Sequence, residues 1–559
     1  MDTALKRYAP DFPPEEWSAR DRLLLQPFAT GLDGHVHVLR NLPPEIVGAL
    51  CSRASRAASS LLRVLLKEYF YPILEGENRA LAAELDATAA FLRNRGFKEI
   101  LNNDRAQAFY AKWLSQYGDD SIAQMTGTHA LFWGISQVAL KFLEDQRIGL
   151  EPIEKSTRYV NYGGKVGGRY LYYIPYPDLE ARGILHEYRA AMDHLFDTYA
   201  ALLPQLMEWL TAHYDDKPLV LEKKAFDTLR GLLPMATVSQ VAFRGNAQAF
   251  EYLINRTARH PLGELRWIGA ALKEELDHEI PSLLLRVADE KSVRYQEHLR
   301  DRKERIRAFA GEAGIAEPES ASRPHVGLVE WDPETEVKIV AGLLFEGSHR
   351  SWGSLLSYAR TLSEEKRKEI FTRVFRDRTA RWYKVPRAFE NAYARFEIVM
   401  NIGAYRDLHR HRMMTQERQS FSTFHGYDVP PEVKEAGLTS RFEEALEGAD
   451  ALFRKLHGAD PELAQYTVPL AYRLRFFQWT NVRQIFWESE LRTISQGHPD
   501  YRWIEQEKHR LFAEKFPLIA SYVQVDHADY KIARRGTEEK IAAKEREIVE
   551  KLGRRSADT

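Results

Sequence analysis

The sequence has a single cysteine, no long apolar run and almost no net charge, and each absence excludes something. With Cys51 alone among 559 residues, an intrachain disulfide framework, a cysteine-based zinc site and a CxxC redox centre are ruled out, which fits a reducing compartment. No stretch of about 18 apolar residues is present to span a bilayer. The opening MDTALKRYAPDFPPEEW lacks the apolar core of a secretion signal, so the expectation is a soluble, cytoplasmic protein that meets no membrane. Lys and Arg total 79 against 80 Asp and Glu, a formal charge of −1. No basic field therefore points to nucleic acid.

What is there is ordinary in bulk, with 44% hydrophobic and 28% charged residues, and long enough for several domains of roughly 150 residues or fewer large ones. Residues 1–34 read as a mobile or wrapping arm, because Pro10, Pro13 and Pro14 break any period. From His35, HVHVLRNLPPEIVGALCSRAS predicts a strand, a proline turn and a helix, and HVGLVEWDPETEVKIVAGLLFEGS from His325 repeats that phrasing. Further on, THALFWGISQV and NAYARFEIVMNI each predict a strand running into a helix, and both halves then carry a long helical stretch and a proline-containing segment. The reading is an arm (1–34), two homologous domains (35–309 and 325–530), a linker (310–324) and a charged C-terminal helix (531–559). The glycines of Gly163-Gly164-Lys165-Val166-Gly167-Gly168 read as a hairpin turn, since the P-loop pattern is missing.

Three clusters carry candidate chemistry. Arg410, His411 and Arg412 close a helix, with Ser420 following after seven residues. Consecutive helix residues cannot share a face, so these three fan outward, where guanidinium groups suit phosphate or carboxylate. The plain alternative is that they complement the helix dipole. His409 beside His411 lacks a third ligand at helical spacing, so no metal site is expected. On a second helix, eleven steps of about 100° bring Arg492 round to Asn481, with Arg483 and Glu488 between. An i,i+4 pair of Glu488 with Arg492 is the bland reading. In the first half, Glu154, Ser156, Thr157 and Arg158 form a loop in which hydroxyl and guanidinium suit one phosphate, and Arg230 precedes a Leu-Leu-Pro segment.

The RHR-x7-S arrangement of Arg410-His411-Arg412 and Ser420 resembles the signature of the flavin-dependent thymidylate synthase (ThyX) family, and RFFQWTNVR resembles that family's later segment. The resemblance implies an α+β fold, two tandem ThyX-like domains, each a mixed or antiparallel sheet with flanking helices. It implies reductive methylation of dUMP to dTMP, with methylenetetrahydrofolate as carbon donor, NADPH as reductant and FAD as cofactor. By the same resemblance Arg492 stabilises the anionic pyrimidine, and Glu154, Ser156, Thr157, Arg158, Arg230 and Arg410 bind substrate. Arg410, His411, Arg412, Asn481, Arg483 and Glu390, the last in a RAFEN stretch, would contact the flavin or nucleotide.

The halves are complementary. The family's phosphate arginine is kept as Arg158 but replaced by Ser422 in the second half; Arg230 is replaced there by Gln465; and the first half reads Glu144-Asp145-Gln146-Arg147 where RHR is expected. The expectation is one composite site drawing on both halves, in a homodimer imitating the family's tetramer. The family's histidine ahead of RAFEN is absent from Val385-Pro386-Arg387. A non-catalytic or repurposed flavin- and nucleotide-binding scaffold is the alternative.

Overall fold

The computed structural model of the chain describes residues 1–533, except 13, 14, 58, 102, 117–119, 159, 316, 317, 320 and 322, together with 536, 543, 544 and 547. Tyr159 and most of the charged 531–559 segment lie outside the described residues.

Two four-stranded sheets have the same strand order. The first runs β1 (Val36–Leu39), β2 (Gly127–Ser136), β4 (Val238–Asn246), β3 (Leu150–Glu154); the second runs β5 (His325–Trp331), β6 (Tyr393–Asn401), β8 (Arg473–Asn481), β7 (Thr415–Arg418). Every pairing is antiparallel, so of the two sheet types expected the antiparallel one is present. Period-two burial explains β6: Ala394, Phe396 and Ile398 are buried while Tyr393, Arg395 and Glu397 face the other way. The registers differ by one residue because Gly134, at φ +80°, forms a bulge in β2 between Trp133 and Ile135.

Both central strands end in a residue that stops the strand and starts a helix. Ser136 caps Gln137–Glu144, Asn246 caps Ala247–Ala258, Asn401 caps Ile402–Leu408 and Asn481 caps Val482–Arg492, each by accepting a backbone N–H from the first turn. The first-half turn at Pro43 and Pro44 opens the Pro44–Ala54 helix, and the hairpin at Gly167 and Gly168 is present, with Val166 and Arg169 paired across it.

The chain forms two compact units that draw on both halves of the sequence: Met1–Gln205, Leu232–Pro318 and Val433–Pro469 make the first, and Leu206–Gly231, Glu319–Glu432 and Leu470–Thr559 the second. Each unit thus includes a helical segment of the other half, Thr439–Ala459 in the first and Pro218–Leu229 in the second. In the first unit Glu264 ties all three segments together. It accepts from the Ser136 backbone N–H at 2.7 Å, the Ser136 hydroxyl at 2.7 Å and the Tyr466 hydroxyl at 2.8 Å. Leu24, Leu25 and Phe28 pack in one cluster of this unit with Leu50, Leu65 and Phe70.

Candidate functional site

In the second unit the Ile402–Leu408 helix ends at His409, and the three residues that follow part company. Arg410 stays 45% exposed, whereas His411 turns inward and is 5% exposed. The Val482–Arg492 helix meets it: Arg492 Nε donates to His411 Nε2 at 2.8 Å, and the Gln484 amide lies 3.1 Å from Nδ1. Asp407 is shared, 3.7 Å from the Arg410 guanidinium and 3.8 Å from that of Arg492. Burial first, then the charges of Arg492 and Lys508, hold the His411 imidazole well below the usual histidine range.

Beneath this pair lies a charged network with no exposure at Glu488, Glu505 or Lys508. Lys508 Nζ donates to Gln478 at 2.7 Å and Glu505 at 2.8 Å and stands 3.2 Å from Glu488; Gln478 donates to Glu488 at 3.0 Å and Ser489 to Glu505 at 3.0 Å. Burial and the Glu488 charge push the Glu505 carboxyl up to about 7. Burial alone would lower Lys508, but Glu488 and Glu505 outweigh it and raise it. Of these groups the sequence reading reached only Glu488, as a partner for Arg492; the structure pairs it with Lys508 instead. The signal available was Glu505 and Lys508, three apart on the apolar face of one helix.

Arg230 comes from the first half of the sequence and belongs to this second unit. It is 5% exposed and 3.3 Å from Asp227, which also lies 3.7 Å from His498. A Cβ on Gly403 would sit 3.2 Å from Arg230 Nε, so the absent side chain makes room for the guanidinium. Counting two residues from each cap, the first half has Val138 where Gly403 stands. Arg483 donates to the Val385 carbonyl at 2.7 Å and to Glu390 at 2.6 Å, and Arg387 adds a pair with Glu390 at 3.1 Å. Burial would raise the Glu390 carboxyl, but the two guanidinium groups outweigh it and lower it. The Asn481 side-chain Oδ1 is committed to its helix, accepting from the Gln484 backbone N–H at 2.8 Å. Arg412 is half-buried and Ser420 exposed.

Ser156, Thr157 and Arg158 belong to the first unit, with Arg158 6% exposed and its backbone N–H donating to the Ser156 hydroxyl at 3.2 Å. Glu154 is buried there in a triad, with Lys141 donating to Glu144 at 2.6 Å and to Glu154 at 3.0 Å. Counted from the caps, Lys141 and Glu144 match Arg406 and His409, and Asp145-Gln146-Arg147 match Arg410-His411-Arg412. Eleven residues past its cap the first half has Thr257 where the second has Arg492. Gln146 lines an open cleft of about 820 Å³ in this unit, with Asn246, Glu251 and Arg286.

The sequence model of thymidylate synthase complementing protein matches residues 77–282 and 328–518, one match in each half of the chain. The chain belongs to that family. Relatives include a UPF0159 protein of Chlamydia pneumoniae, 36% identical over 533 residues, covering 93% of this chain and 97% of the relative. A UPF0159 protein of Thermoplasma acidophilum is 28% identical over 472 residues, covering 78% of this chain and 92% of its own length. Among solved structures, a UMP/dUMP methylase, PolB, from Streptomyces cacaoi bound with 5-Br dUMP aligns at 15% identity and a TM-score of 0.29, over 37% of this chain and 96% of that one. Within the described residues of this family member, no helix is long and apolar enough to cross a membrane.

Proposed function

We propose that the second unit binds dUMP and FAD and carries out the reductive methylation of dUMP to dTMP, with methylenetetrahydrofolate as carbon donor and NADPH as reductant. One observation supports this reading above the others. The unit gathers Arg230 from the first half of the sequence with Arg410, Arg412 and Arg492 from the second, whereas the first unit has Gln465, Asp145, Arg147 and Thr257 at the matching places. Complementary losses in the two halves thus leave Arg230, Arg410 and Arg492 together in one unit, with Arg158 in the other.

In this reading Arg230 and Arg410 hold the nucleotide phosphate, since guanidinium groups bind it in a bidentate fork. Arg492, only 14% exposed, directs its N–H groups at the pyrimidine and stabilises negative charge developing on the ring. The 45% exposed Arg410 and 34% exposed Arg483 supply donors that suit a dinucleotide with two phosphates, with Arg412 and Glu390 beside them. The flavin, when bound, supplies two-electron redox chemistry. The chain's own thiol does not: Cys51 is buried, and burial pushes it up to about 11. The share taken by Glu154, Ser156, Thr157 and Arg158 is read separately, from the dUMP affinity of Arg158→Ala. Sedimentation of the full chain reads the proposed homodimer.

The sealed Lys141 triad favours a scaffolding role for the first unit. The visible spectrum of the purified protein, followed by anaerobic NADPH and dUMP, tests the whole reading. Bound FAD that NADPH reduces, and that is reoxidised with dTMP formation once dUMP and methylenetetrahydrofolate are added, is the expected result. A colourless protein that FAD cannot reconstitute overturns it and leaves the scaffold reading.

A further inference from the structure

The contact between Arg492 and His411 fixes a proton. Arginine Nε–H donates and has nothing with which to accept, so His411 Nε2, 2.8 Å away, is the acceptor. An imidazolium has no acceptor nitrogen. The ring is therefore neutral with its proton on Nδ1; Gln484 Nε2, placed 3.1 Å from Nδ1, has nothing with which to accept that proton, so we assign the amide turned over, with its oxygen facing Nδ1. Donation thus runs from Arg492 through His411 to Gln484, from one end of the Val482–Arg492 helix to its first turn.

The first half provides an internal control. Counted from the caps, Gln146, Ala249 and Thr257 replace His411, Gln484 and Arg492, and the Gln146 amide simply donates to the Ala249 carbonyl at 2.8 Å. The network behind the pair is replaced as well. Gln478 and Glu488 match Phe243 and Leu253, three residues before and seven after the caps Asn481 and Asn246. Glu505 and Lys508 match Gly269 and Leu272, seven and ten residues beyond His498 and Leu262. Phe243, Leu253 and Leu272 are fully buried at 0% exposure, so this position in the fold packs without charge. Burying ions costs more than burying such side chains, and at this place in the fold the cost is carried in the half that has His411 and Arg492. Lys508 adds its positive charge to those of Arg492 and Arg410, and together with burial these outweigh Asp407 and disfavour an imidazolium.

We propose that His411 is a positioning residue: a neutral imidazole, protonated at Nδ1 and backed by the Lys508 network, whose Nε2 orients the Arg492 guanidinium toward the bound anion. The inference rests on the reading above in which Arg492 faces the pyrimidine. It departs from the resemblance, which gives His411 to the flavin or nucleotide.

The test has two arms. In full-length protein carrying ring-15N histidine, two-bond 1H–15N correlations, assigned by difference with His411→Gln, are expected to show the Nδ1–H tautomer. An imidazolium or an Nε2–H tautomer overturns the proposal. In the second arm dUMP affinity is measured. His411→Leu loses about 10- to 100-fold, the worth of a hydrogen bond to a charged group; His411→Gln, whose amide oxygen takes the place of Nε2, recovers most of that. Equal losses in the two variants, with unchanged circular dichroism, overturn it, as does full affinity in His411→Leu. A wild-type protein that binds no dUMP sinks the functional reading alone, because the tautomer still decides this one.

Discussion

The Tyr466 hydroxyl donates to Glu264 at 2.8 Å across 202 positions of sequence, and the same carboxylate accepts from Ser136. A single buried acid therefore joins a strand end, a helix start and a segment from the other half of the chain. Its three partners are all donors, yet burial outweighs them and pushes the carboxyl up to about 7 from 4.5.

A pH dependence follows. Between about pH 4.5 and 7 the native state binds a proton that the unfolded chain has released, so stability falls as pH rises through that window. The fall is on the order of 3 kcal/mol for a shift of this size. Glu264→Gln removes the titration. Thermal midpoints at about pH 5 and pH 8 are expected to differ less in the variant than in the parent, with the variant the more stable at the higher pH. An unchanged difference between the two midpoints counts against this role.

Lys141 and Arg406 hold the same place in the two halves, five residues past Ser136 and Asn401, and Lys141 is enclosed by the carboxylates of Glu144 and Glu154. Lys141→Met leaves Glu144 and Glu154 buried without their cation and is expected to cost about 3–5 kcal/mol. Adding Glu144→Gln and Glu154→Gln restores much of that loss, and urea titration of the three proteins reads it.

The strands and the helices they feed were legible because apolar alternation gives way to helical spacing at a capping residue, as at Asn401 and Asn481. The cap made by Asn481 was not legible in the same way: in one dimension the residue reads as a candidate ligand, and only the structure shows its side-chain oxygen accepting from a backbone N–H. Periodicity says which face of Thr439–Ala459 is buried but not against which half of the chain, so the exchange of segments between units was not legible. Glu488 and Lys508 look like surface charges for a similar reason. A helix position fixes a face, and only the tertiary fold shows that this face is dry. The pairing of Glu488 with Arg492 had the right spacing and the wrong partner.

Gly403 and Arg230 vary together inside the molecule: the half with Val138 at the matching place belongs to the unit that has Gln465 instead of the arginine. A methyl group at 403 would sit 3.2 Å from Arg230 Nε and 3.6 Å from Cζ, so the guanidinium has to give way. Gly403→Ala is expected to keep the fold, since alanine favours a helix by about 0.5–1 kcal/mol over glycine. Its dUMP affinity should fall by several-fold, less than the roughly 10-fold or greater loss of Arg230→Ala. Calorimetric titration of both variants measures this. Equal affinity in Gly403→Ala and the parent would show that Arg230 does not hold the nucleotide.

The Lys508 network separates stability from function. Lys508→Leu alone leaves Glu488 and Glu505 buried together without their cation, and is expected to destabilise by about 3–5 kcal/mol. Glu488→Leu, Glu505→Ala and Lys508→Leu together approach the apolar packing of Leu253, Gly269 and Leu272, and replacing a buried ionic cluster in this way is commonly neutral or stabilising. The triple variant should therefore melt at or above the parent temperature while binding dUMP more weakly, because Arg492 and His411 have lost the charged floor beneath them. A triple variant that is stable and binds as tightly as the parent would assign the network to packing alone. One that unfolds would show that the second half, unlike the first, needs these charges to fold.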